Sequence, residues 1–190
     1  MTNAHSLELL PGNRVVVASC TGGTGNKLIL FDLSANNTPL WEDKLHSAHG
    51  VVWDGKRNLL WAMGMDELRS YRPVNWDTGK PSLELASTHK LPDTDGHDLQ
   101  AMPNSPDLIL STDTRVFLFD RDRGTFRAHP TLGDQPQVKA LSPHPTNGDL
   151  AWIAGEKGNW WSGTLRFLQP ASQHAVPGEK LYKARWFTNP

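Results

Sequence analysis

Five basic side chains recur along the chain at nearly constant spacing. They are three histidines and two lysines: His5, His49, His97, Lys139 and Lys183. Subtraction of neighbouring positions gives spacings of 44, 48, 42 and 44 residues. Each of these residues stands near the start of a short apolar run, and in the first four copies a turn and a second apolar run follow. The repetition predicts that the five side chains occupy equivalent places in a repeated structural unit.

Basic side chains gathered from several repeats would support metal binding, anion binding and proton removal. Three imidazoles can hold a divalent metal (Zn²⁺, Mn²⁺ or Ca²⁺) and leave a coordination position open for water or substrate. Two lysines with an arginine beside them form an anion site, and clustered cations lower the pKa of a lysine, which suits it to act as a base. The predicted metal ligands are His5, His49 and His97. The candidates for catalysis are Lys139, Lys183 and Arg185.

This set of groups fits a metal-assisted lyase or hydrolase that acts on an acidic sugar. The metal would bind the sugar carboxylate and acidify the adjacent proton, which a lysine or a histidine would remove. Asp98 and Glu8 are expected to orient the histidine rings, and the Trp160-Trp161 pair could stack on sugar rings. The predicted ligand-binding residues are His5, His49, His97, Asp98, Trp160 and Trp161.

Two simpler interpretations of the recurring residues stay open at this point. A polar residue at the start of each repeat could only hydrogen-bond neighbouring repeats or water. The set could also bind an anion or a sugar without catalysing any reaction. The two tryptophans could equally pack between repeats.

The elements that position these residues are predicted from the same repeat. A period of roughly 40–50 residues is typical of β-propeller blades, which are four-stranded sheets packed radially around a central channel. We predict an all-β fold, a β-propeller with about five four-stranded blades, in a single domain spanning 1–190. Inner strands line the channel of such a fold, so the recurring residues would converge at its mouth. The predicted blades span 3–45, 46–94, 95–134 and 135–180, and a fifth begins within 181–190.

The fifth blade is expected to be incomplete. Lys183–Phe187 is predicted as its inner strand, and residues 171–179 are predicted as an irregular connection. Because strands from both chain ends commonly close a propeller, the other three strands would have to precede Asn3. The open blade could instead pair with another molecule, and a homodimer formed through it is therefore predicted.

Composition excludes several other classes of function. The net charge is −1, with 19 Lys and Arg against 20 Asp and Glu, so no nucleic-acid partner is predicted. No apolar run approaches the roughly 18 residues of a membrane-spanning helix, so no membrane partner is predicted either. Cys20 is the only cysteine. Neither a disulfide nor a cysteine-based metal cluster is predicted, and we expect a small buried side chain at this position.

Longer motifs surround the recurring residues. They are Asn3-Ala4-His5-Ser6, Leu10-Pro11-Gly12-Asn13, Ala48-His49-Gly50-Val51-Val52-Trp53-Asp54, Gly96-His97-Asp98-Leu99, Trp160-Trp161 with Leu165-Arg166-Phe167-Leu168, and Tyr182-Lys183-Ala184-Arg185-Trp186. Over essentially the whole chain they resemble a family of bacterial β-propeller proteins that is catalogued only as a domain of unknown function and is similar to quinoprotein-like propellers. The resemblance implies an exported protein, periplasmic or extracellular, with a further N-terminal stretch that completes the last blade. The segment Met1–His5 has no signal-peptide character.

The resemblance implies no particular activity, so the functional expectation comes from the residues. They favour a β-propeller that binds an anionic, carbohydrate-like small molecule or oligosaccharide at its central channel. Metal-assisted lyase or hydrolase activity is a further expectation. The alternative is a non-catalytic propeller that binds proteins through its faces or its open blade.

Overall fold

The computed structural model describes residues 2–35 and 38–187. Within those residues, every regular element is a β-strand, and sixteen strands form four antiparallel sheets of four strands each. These sheets are blades in a β-propeller arrangement, so the all-β prediction is confirmed. The chain divides into two compact units, Met1–Gly96 and His97–Pro190, with two blades in each.

The first unit contains blades one and two, each built from strands in chain order. The strands of blade one are β1 (Ala4–Leu10), β2 (Arg14–Ser19), β3 (Lys27–Asp32) and β4 (Trp41–Lys44). The strands of blade two are β5 (Gly50–Asp54), β6 (Leu59–Met63), β7 (Glu67–Val74) and β8 (Ser82–Lys90). Branched and aromatic residues dominate the middle strands because such side chains fit a pleated surface that is buried on both faces.

The second unit contains blades three and four, with the same order of neighbours. The strands of blade three are β9 (Asp98–Ala101), β10 (Asp107–Ser111), β11 (Val116–Asp120) and β12 (Thr125–Ala128). The strands of blade four are β13 (Val138–Pro143), β14 (Leu150–Ala154), β15 (Thr164–Phe167) and β16 (Ser172–Ala175).

Each unit has an apolar core between its two blades. In the first unit, Val16, Leu28 and Leu60 are fully buried in a single cluster. In the second unit, Ile109 and Leu141 occupy the corresponding kind of cluster. Each such side chain contributes about 1.5–3 kcal/mol by leaving water. This packing fixes the inner strands, which carry the candidate site residues.

The hairpin between the first two strands of every blade turns through a residue with a left-handed backbone. These residues are Asn13 (φ 57°), Asn58 (φ 52°), Asn104 (φ 55°) and Gly148 (φ 79°). Glycine reaches this region without a steric penalty, and asparagine tolerates it better than other residues with side chains. The turn chemistry predicted for Pro11-Gly12-Asn13 and its counterparts is therefore present in all four blades.

The prediction of a fifth, incomplete blade is wrong. Residues 182–187 form no strand, because side-chain bonds to blades three and four hold this segment in place of a backbone ladder. The outer strand of blade four is β16, which lies in the segment predicted as an irregular connection. Of the predicted start of blade five, residues 188–190 lie outside the described residues. The described residues, 2–35 and 38–187, form four complete blades instead of five.

The described part of the chain holds no helix with the length and apolar character needed to cross a membrane.

Candidate functional site

Two of the recurring basic residues meet at the inner strands of the second unit. His97 immediately precedes β9, and Lys139 lies in β13, which packs beside β9. The Lys139 Nζ atom is 2.5 Å from the Nε2 atom of the His97 ring. Both side chains are buried, at 7% exposure for His97 and 4% for Lys139. An imidazole nitrogen that accepts from an ammonium group carries no proton, so this contact places the proton of a neutral His97 ring on Nδ1.

The other two candidate cations, Lys183 and Arg185, contact the buried carboxylate of Asp98, the residue that follows His97. Asp98 is 1% exposed and accepts bonds from the Arg185 Nη1 and Nη2 atoms at 3.1 and 2.7 Å. Its Oδ1 atom is 3.1 Å from Lys183 Nζ, and its Oδ2 atom accepts the backbone N–H of Leu141 at 2.7 Å. A buried carboxylate needs such partners because an uncompensated charge away from water is costly.

The segment 182–187 reaches these residues because it is tied to both inner strands of the unit. Lys183 Nζ donates to the backbone carbonyl of His97 at 2.7 Å. The backbone N–H and the indole N–H of Trp186 donate to the hydroxyl and the carbonyl oxygen of Ser142, both at 3.0 Å. These bonds bring Lys183 and Arg185 beside Asp98 without adding a strand to the sheet.

We call Lys139, Lys183 and Arg185 the cationic cluster. Burial lowers the pKa of Lys183, the Asp98 carboxylate acts in the opposite direction, and the positive charges of Arg185 and Lys139 lower the pKa further. Burial alone would raise the pKa of Asp98, but the charges of Lys183 and Arg185 hold it below its usual value. The cluster therefore contains two basic groups on one ionised carboxylate, with Lys139 as a third positive charge that acts on Lys183.

The predicted aromatic pair also lies in the second unit. Trp160 is 61% exposed, and its ring meets the Tyr182 ring edge-on at a centroid distance of 5.3 Å. The Lys183 Nζ atom lies 5.1 Å from the centre of the Tyr182 ring. Trp161 is half-buried and has Lys180 Nζ 5.1 Å from its ring. An exposed aromatic face is thus continuous, through Tyr182, with the cationic cluster.

In the first unit, two predicted metal ligands meet the single cysteine. His5 lies in β1, Cys20 directly follows β2, and His49 directly precedes β5. The His5 and His49 rings are 4.2 Å apart between centroids, and Cys20 Sγ is 3.5 and 3.8 Å from the Nδ1 and Nε2 atoms of His49. We call these three residues the thiol–imidazole group. One ligand atom from each of its members lies within 4.8 Å of the other two.

Backbone carbonyls hold both rings of the thiol–imidazole group. His5 Nδ1 lies 3.1 Å from the carbonyl oxygen of Asn3, and His49 Nδ1 lies 2.9 Å from that of Ser47. Glu8 was expected to orient the rings; its carboxyl instead accepts the backbone N–H of Trp53, and burial raises its pKa to about 7. Main-chain carbonyls thus contribute to the orientation of both histidines, and the Ser47 hydroxyl also lies 3.2 Å from His49 Nδ1.

The structure places the predicted residues in two groups, one in each unit. His5 and His49 come together in the first, and His97, Asp98, Lys139, Lys183 and Arg185 come together in the second. The sequence predicted that all these residues line one central channel. Because the two groups lie in different units, that statement stays a prediction. Cys20, interpreted from the sequence only as a small buried residue, is buried at 2% exposure and also touches His49.

The approximate position of Cys20 could have been predicted by counting residues along the β1–β2 hairpin. Counting outward from the Pro11–Asn13 turn places His5 opposite position 19, and the observed ladder pairs Ala4 with Ser19 after a register shift. The next residue, Cys20, must therefore lie beside the start of β1.

The fold and these basic groups define a protein of the β-propeller class, with polar residues at the starts of its inner strands. Residues 1–190 match the model of a family of unknown function (DUF6528), and the chain belongs to that family. A comparison with curated proteins finds no match.

Proposed function

We propose that the protein binds an anionic, carbohydrate-like ligand at the cationic cluster of its second unit. The observation that carries this proposal is the charge balance of the site. Lys183 and Arg185 flank the carboxylate of Asp98 and are accessible, with 21% and 39% of their side chains exposed, and Lys139 adds a third positive charge close enough to act on Lys183. Burial is the largest cause of the lowered pKa of Lys183, and repulsion from Arg185 and Lys139 lowers it further. A carboxylate on a ligand would reduce that repulsion.

Donors remain available for such a ligand. Lys183 spends two contacts on the His97 carbonyl and on Asp98, and an ammonium group has three N–H bonds to donate. Arg185 faces Asp98 with both terminal nitrogens, and a guanidinium has five N–H donors in total. Charge-assisted bonds to a ligand carboxylate are about twice as strong as neutral ones, so they would favour acidic over neutral sugars.

The neighbouring aromatic residues suit the ring of a sugar. Trp160 exposes most of its indole to solvent, and Tyr182 connects it to Lys183. Apolar faces of sugars pack on aromatic rings, while hydroxyls and carboxylates need polar partners. A uronic acid combines both requirements in one residue, because its ring can cover Trp160 while its carboxylate meets Lys183.

The test compares acidic and neutral oligosaccharides of the same backbone by isothermal titration calorimetry. Galacturonic-acid oligosaccharides should bind and galactose oligosaccharides should bind at least tenfold more weakly. Lys183→Met should weaken the acidic ligand by about tenfold or more, the value of one lost charge-assisted hydrogen bond. Trp160→Ala should weaken both ligands, because stacking does not depend on the carboxylate.

Arg127→Met is the matched control. Arg127 also makes a two-pronged contact with an aspartate of the second unit, Asp107, at 2.9 and 2.5 Å, but it lies on the outer strand β12. This variant should bind the acidic oligosaccharide as the wild type does. Equal binding of acidic and neutral sugars, or unchanged binding by Lys183→Met, would contradict the proposal.

Metal-assisted lyase or hydrolase activity is the catalytic form of this proposal. Elimination from a uronide leaves an unsaturated sugar that absorbs in the ultraviolet, so incubation of the same oligosaccharides with added Zn²⁺, Mn²⁺ or Ca²⁺ tests it directly. Lys139→Met and Lys183→Met should abolish product formation if one of these amines removes the proton. Absence of unsaturated and of hydrolysed product with all three metals would leave ligand binding alone.

A second candidate function, protein interaction, is favoured by the face of blade one that is turned away from the core shared with blade two. We call Leu7, Leu9, Val15, Val17 and Ile29 the apolar face; cross-strand pairs join them, Leu7 with Val17 and Leu9 with Val15. Leu7 is 64% exposed and Leu9 is 62% exposed. A cavity of about 630 Å³ lies against the valines and the isoleucine. Val15, Val17 and Ile29 are buried, so Leu7 and Leu9 form the exposed part of this face, and contiguous exposed apolar surface marks interaction sites.

We propose a second copy of the chain as the partner of the apolar face. Two identical apolar faces can cover each other around a two-fold axis, which is the commonest symmetry of soluble oligomers. Light scattering coupled to gel filtration should then give the mass of a dimer for the wild type and of a monomer for Leu7→Asp/Leu9→Asp. Leu85→Asp, at another leucine that is 50% exposed, is the control and should stay dimeric. A monomeric wild type would refute this candidate.

A further inference from the structure

The thiol–imidazole group brings three metal-ligating side chains to one place in the first unit. Cys20 is 2% exposed and His49 is 6% exposed, while His5 is half-buried. The three residues come from the start of β1, the residue after β2 and the residue before β5. The group lies beside the core of this unit and takes no part in the cationic cluster, so the proposed anion site does not account for it.

The hydrogen bonds of both rings fix which nitrogen is available for a metal. A carbonyl oxygen can only accept, so His5 Nδ1 must donate to the Asn3 carbonyl and His49 Nδ1 to the Ser47 carbonyl. The ring of a neutral histidine then has its lone pair on Nε2. Metal-bound histidines commonly donate their other N–H to a backbone carbonyl in this way, because that bond sets the ring orientation and raises the basicity of the ligand.

The three side chains are close enough to share one metal after side-chain rotation, since one ligand atom from each lies within 4.8 Å of the other two. With a metal–sulfur bond of about 2.3 Å and a metal–nitrogen bond of about 2.0 Å, the sulfur and the nitrogen lie about 3.6 Å apart. The observed separation between Cys20 Sγ and His49 Nε2 is 3.8 Å, but Sγ lies 3.5 Å from Nδ1, so the cysteine side chain must also rotate toward the Nε2 side of the ring to meet the metal. Two imidazoles on one such metal have centroids about 5 Å apart, compared with 4.2 Å between His5 and His49. The half-buried His5 ring would therefore swing outward by about an ångström on binding.

We propose that His5 Nε2, Cys20 Sγ and His49 Nε2 form a binding site for Zn²⁺. A thiolate with two imidazoles is a ligand set that suits this metal, and three protein ligands leave the fourth position open for water or a substrate atom. Binding requires the thiol to lose its proton to the solvent, so zinc uptake releases protons and weakens at low pH. Serine replaces the Cys20 thiol with a hydroxyl of nearly the same size. Cys20→Ser is therefore the most informative variant, because it removes the sulfur ligand and keeps the packing.

The first measurement is the metal content of untagged protein loaded with Zn²⁺ and then dialysed. The wild type should retain one zinc ion per chain. Competition with a chromophoric zinc indicator should show that Cys20→Ser and His5→Ala each weaken binding by at least about tenfold, the minimum expected for removing a ligand. His46→Ala is the matched control, because His46 lies only three residues before His49 but is exposed, and it should bind zinc as the wild type does.

The second measurement identifies the sulfur ligand. Replacement of zinc by Co²⁺ should give a thiolate-to-cobalt charge-transfer band in the near ultraviolet for the wild type and none for Cys20→Ser. Circular dichroism of the metal-free variants should match that of the wild type, since the hydroxyl fits the space of the thiol. Failure of the wild type to retain zinc, or equal zinc affinity in the wild type and Cys20→Ser, would overturn the proposal. Neither result depends on whether the second unit binds an acidic sugar.

Discussion

Removing the buried carboxylate of Asp98 should be among the most destabilising single changes in the second unit. Asp98→Ala leaves the Leu141 N–H, at a residue that is 0% exposed, without its acceptor, which costs about 1–3 kcal/mol. Lys183 and Arg185 also lose their partner. Removing one partner of a fully buried ion pair costs about 3–5 kcal/mol. Because these two cations are 21% and 39% exposed, solvent screening reduces that part.

We therefore expect Asp98→Ala to lower the free energy of unfolding by about 3 kcal/mol in total. Asp98→Asn keeps an oxygen for the Leu141 N–H and loses only the charge, so it should cost about 1–2 kcal/mol. The assay is urea denaturation followed by tryptophan fluorescence. Trp186 reports on this region directly, because its indole N–H donates to the Ser142 carbonyl.

Asp107→Asn is the control for Asp98→Asn. Asp107 is also paired with an arginine by two bonds, but Arg127 is 50% exposed, so the loss should be within about 1 kcal/mol. Limited proteolysis should cut Asp98→Ala after Lys183 or Arg185 faster than the wild type, since the segment 182–187 loses its anchor. If Asp98→Ala changes the free energy of unfolding by less than about 0.5 kcal/mol, the assigned role of this carboxylate is wrong.

Three further changes test the first unit. Burial raises the pKa of Glu8 to about 7, so the folded protein loses the proton of Glu8 as the pH rises from about 4.5 through 7. The free energy of unfolding of the wild type, measured by urea titration, should therefore fall by about 2 kcal/mol over that range. Glu8→Gln should remove this pH dependence. Tyr71→Phe removes a buried hydroxyl that donates to Asp43 at 2.8 Å, and thermal denaturation should show a loss of about 1–2 kcal/mol; no loss would mean that the bond contributes nothing. Gly64→Ala would place a methyl carbon 2.6 Å from the His46 carbonyl oxygen and should cost about 1–3 kcal/mol, whereas Gly79→Ala, which meets nothing within 4 Å, should be neutral in the same assay.

Much of the blade structure was predictable because it is encoded locally. Arg14–Ser19, Lys27–Asp32 and Leu59–Met63 are strands with the predicted ends, since each is a β-branched or apolar run bounded by turn residues. The outer strand β16 was missed because all four of its residues are exposed and carry no apolar alternation. Its pairing with β15 decides its conformation, and pairing is not a local property.

The error at Lys183–Phe187 has a different physical origin. The segment repeats the pattern of the earlier inner strands, and its pattern alone predicts another strand. A strand also needs a neighbour with free backbone groups, whereas this segment binds Asp98 and Ser142 through Lys183, Arg185 and Trp186. The repeat drew attention to Lys183, which contacts His97 and Asp98, and gave the wrong backbone for the last copy.

The sequence predicted which types of residue the candidate sites contain. It predicted only some of the residues that belong to each site. The recurring positions include both histidines of the thiol–imidazole group, but Cys20 belongs to no repeat. Its place depends on the register of the β1–β2 hairpin, which shifts between Ala4 and Ser6. Counting from the turn brings Cys20 near the start of β1, but the register shift that pairs Ala4 with Ser19 is not reported by that count.

The left-handed residues at the inner hairpins have a practical consequence for protein engineering. The loops that contain them differ in length, from residues 11–13 to residues 144–149. Asn13 and Gly148 each direct the chain into the second strand of their blade, so hairpin loops of different length are compatible with the fold. Each loop lies a full strand away from the recurring basic residue of its own blade, about 15–20 Å for β1. Short epitopes or fluorophore attachment sequences inserted before Asn13 or Gly148 should therefore be tolerated and leave the thiol–imidazole group and the cationic cluster intact.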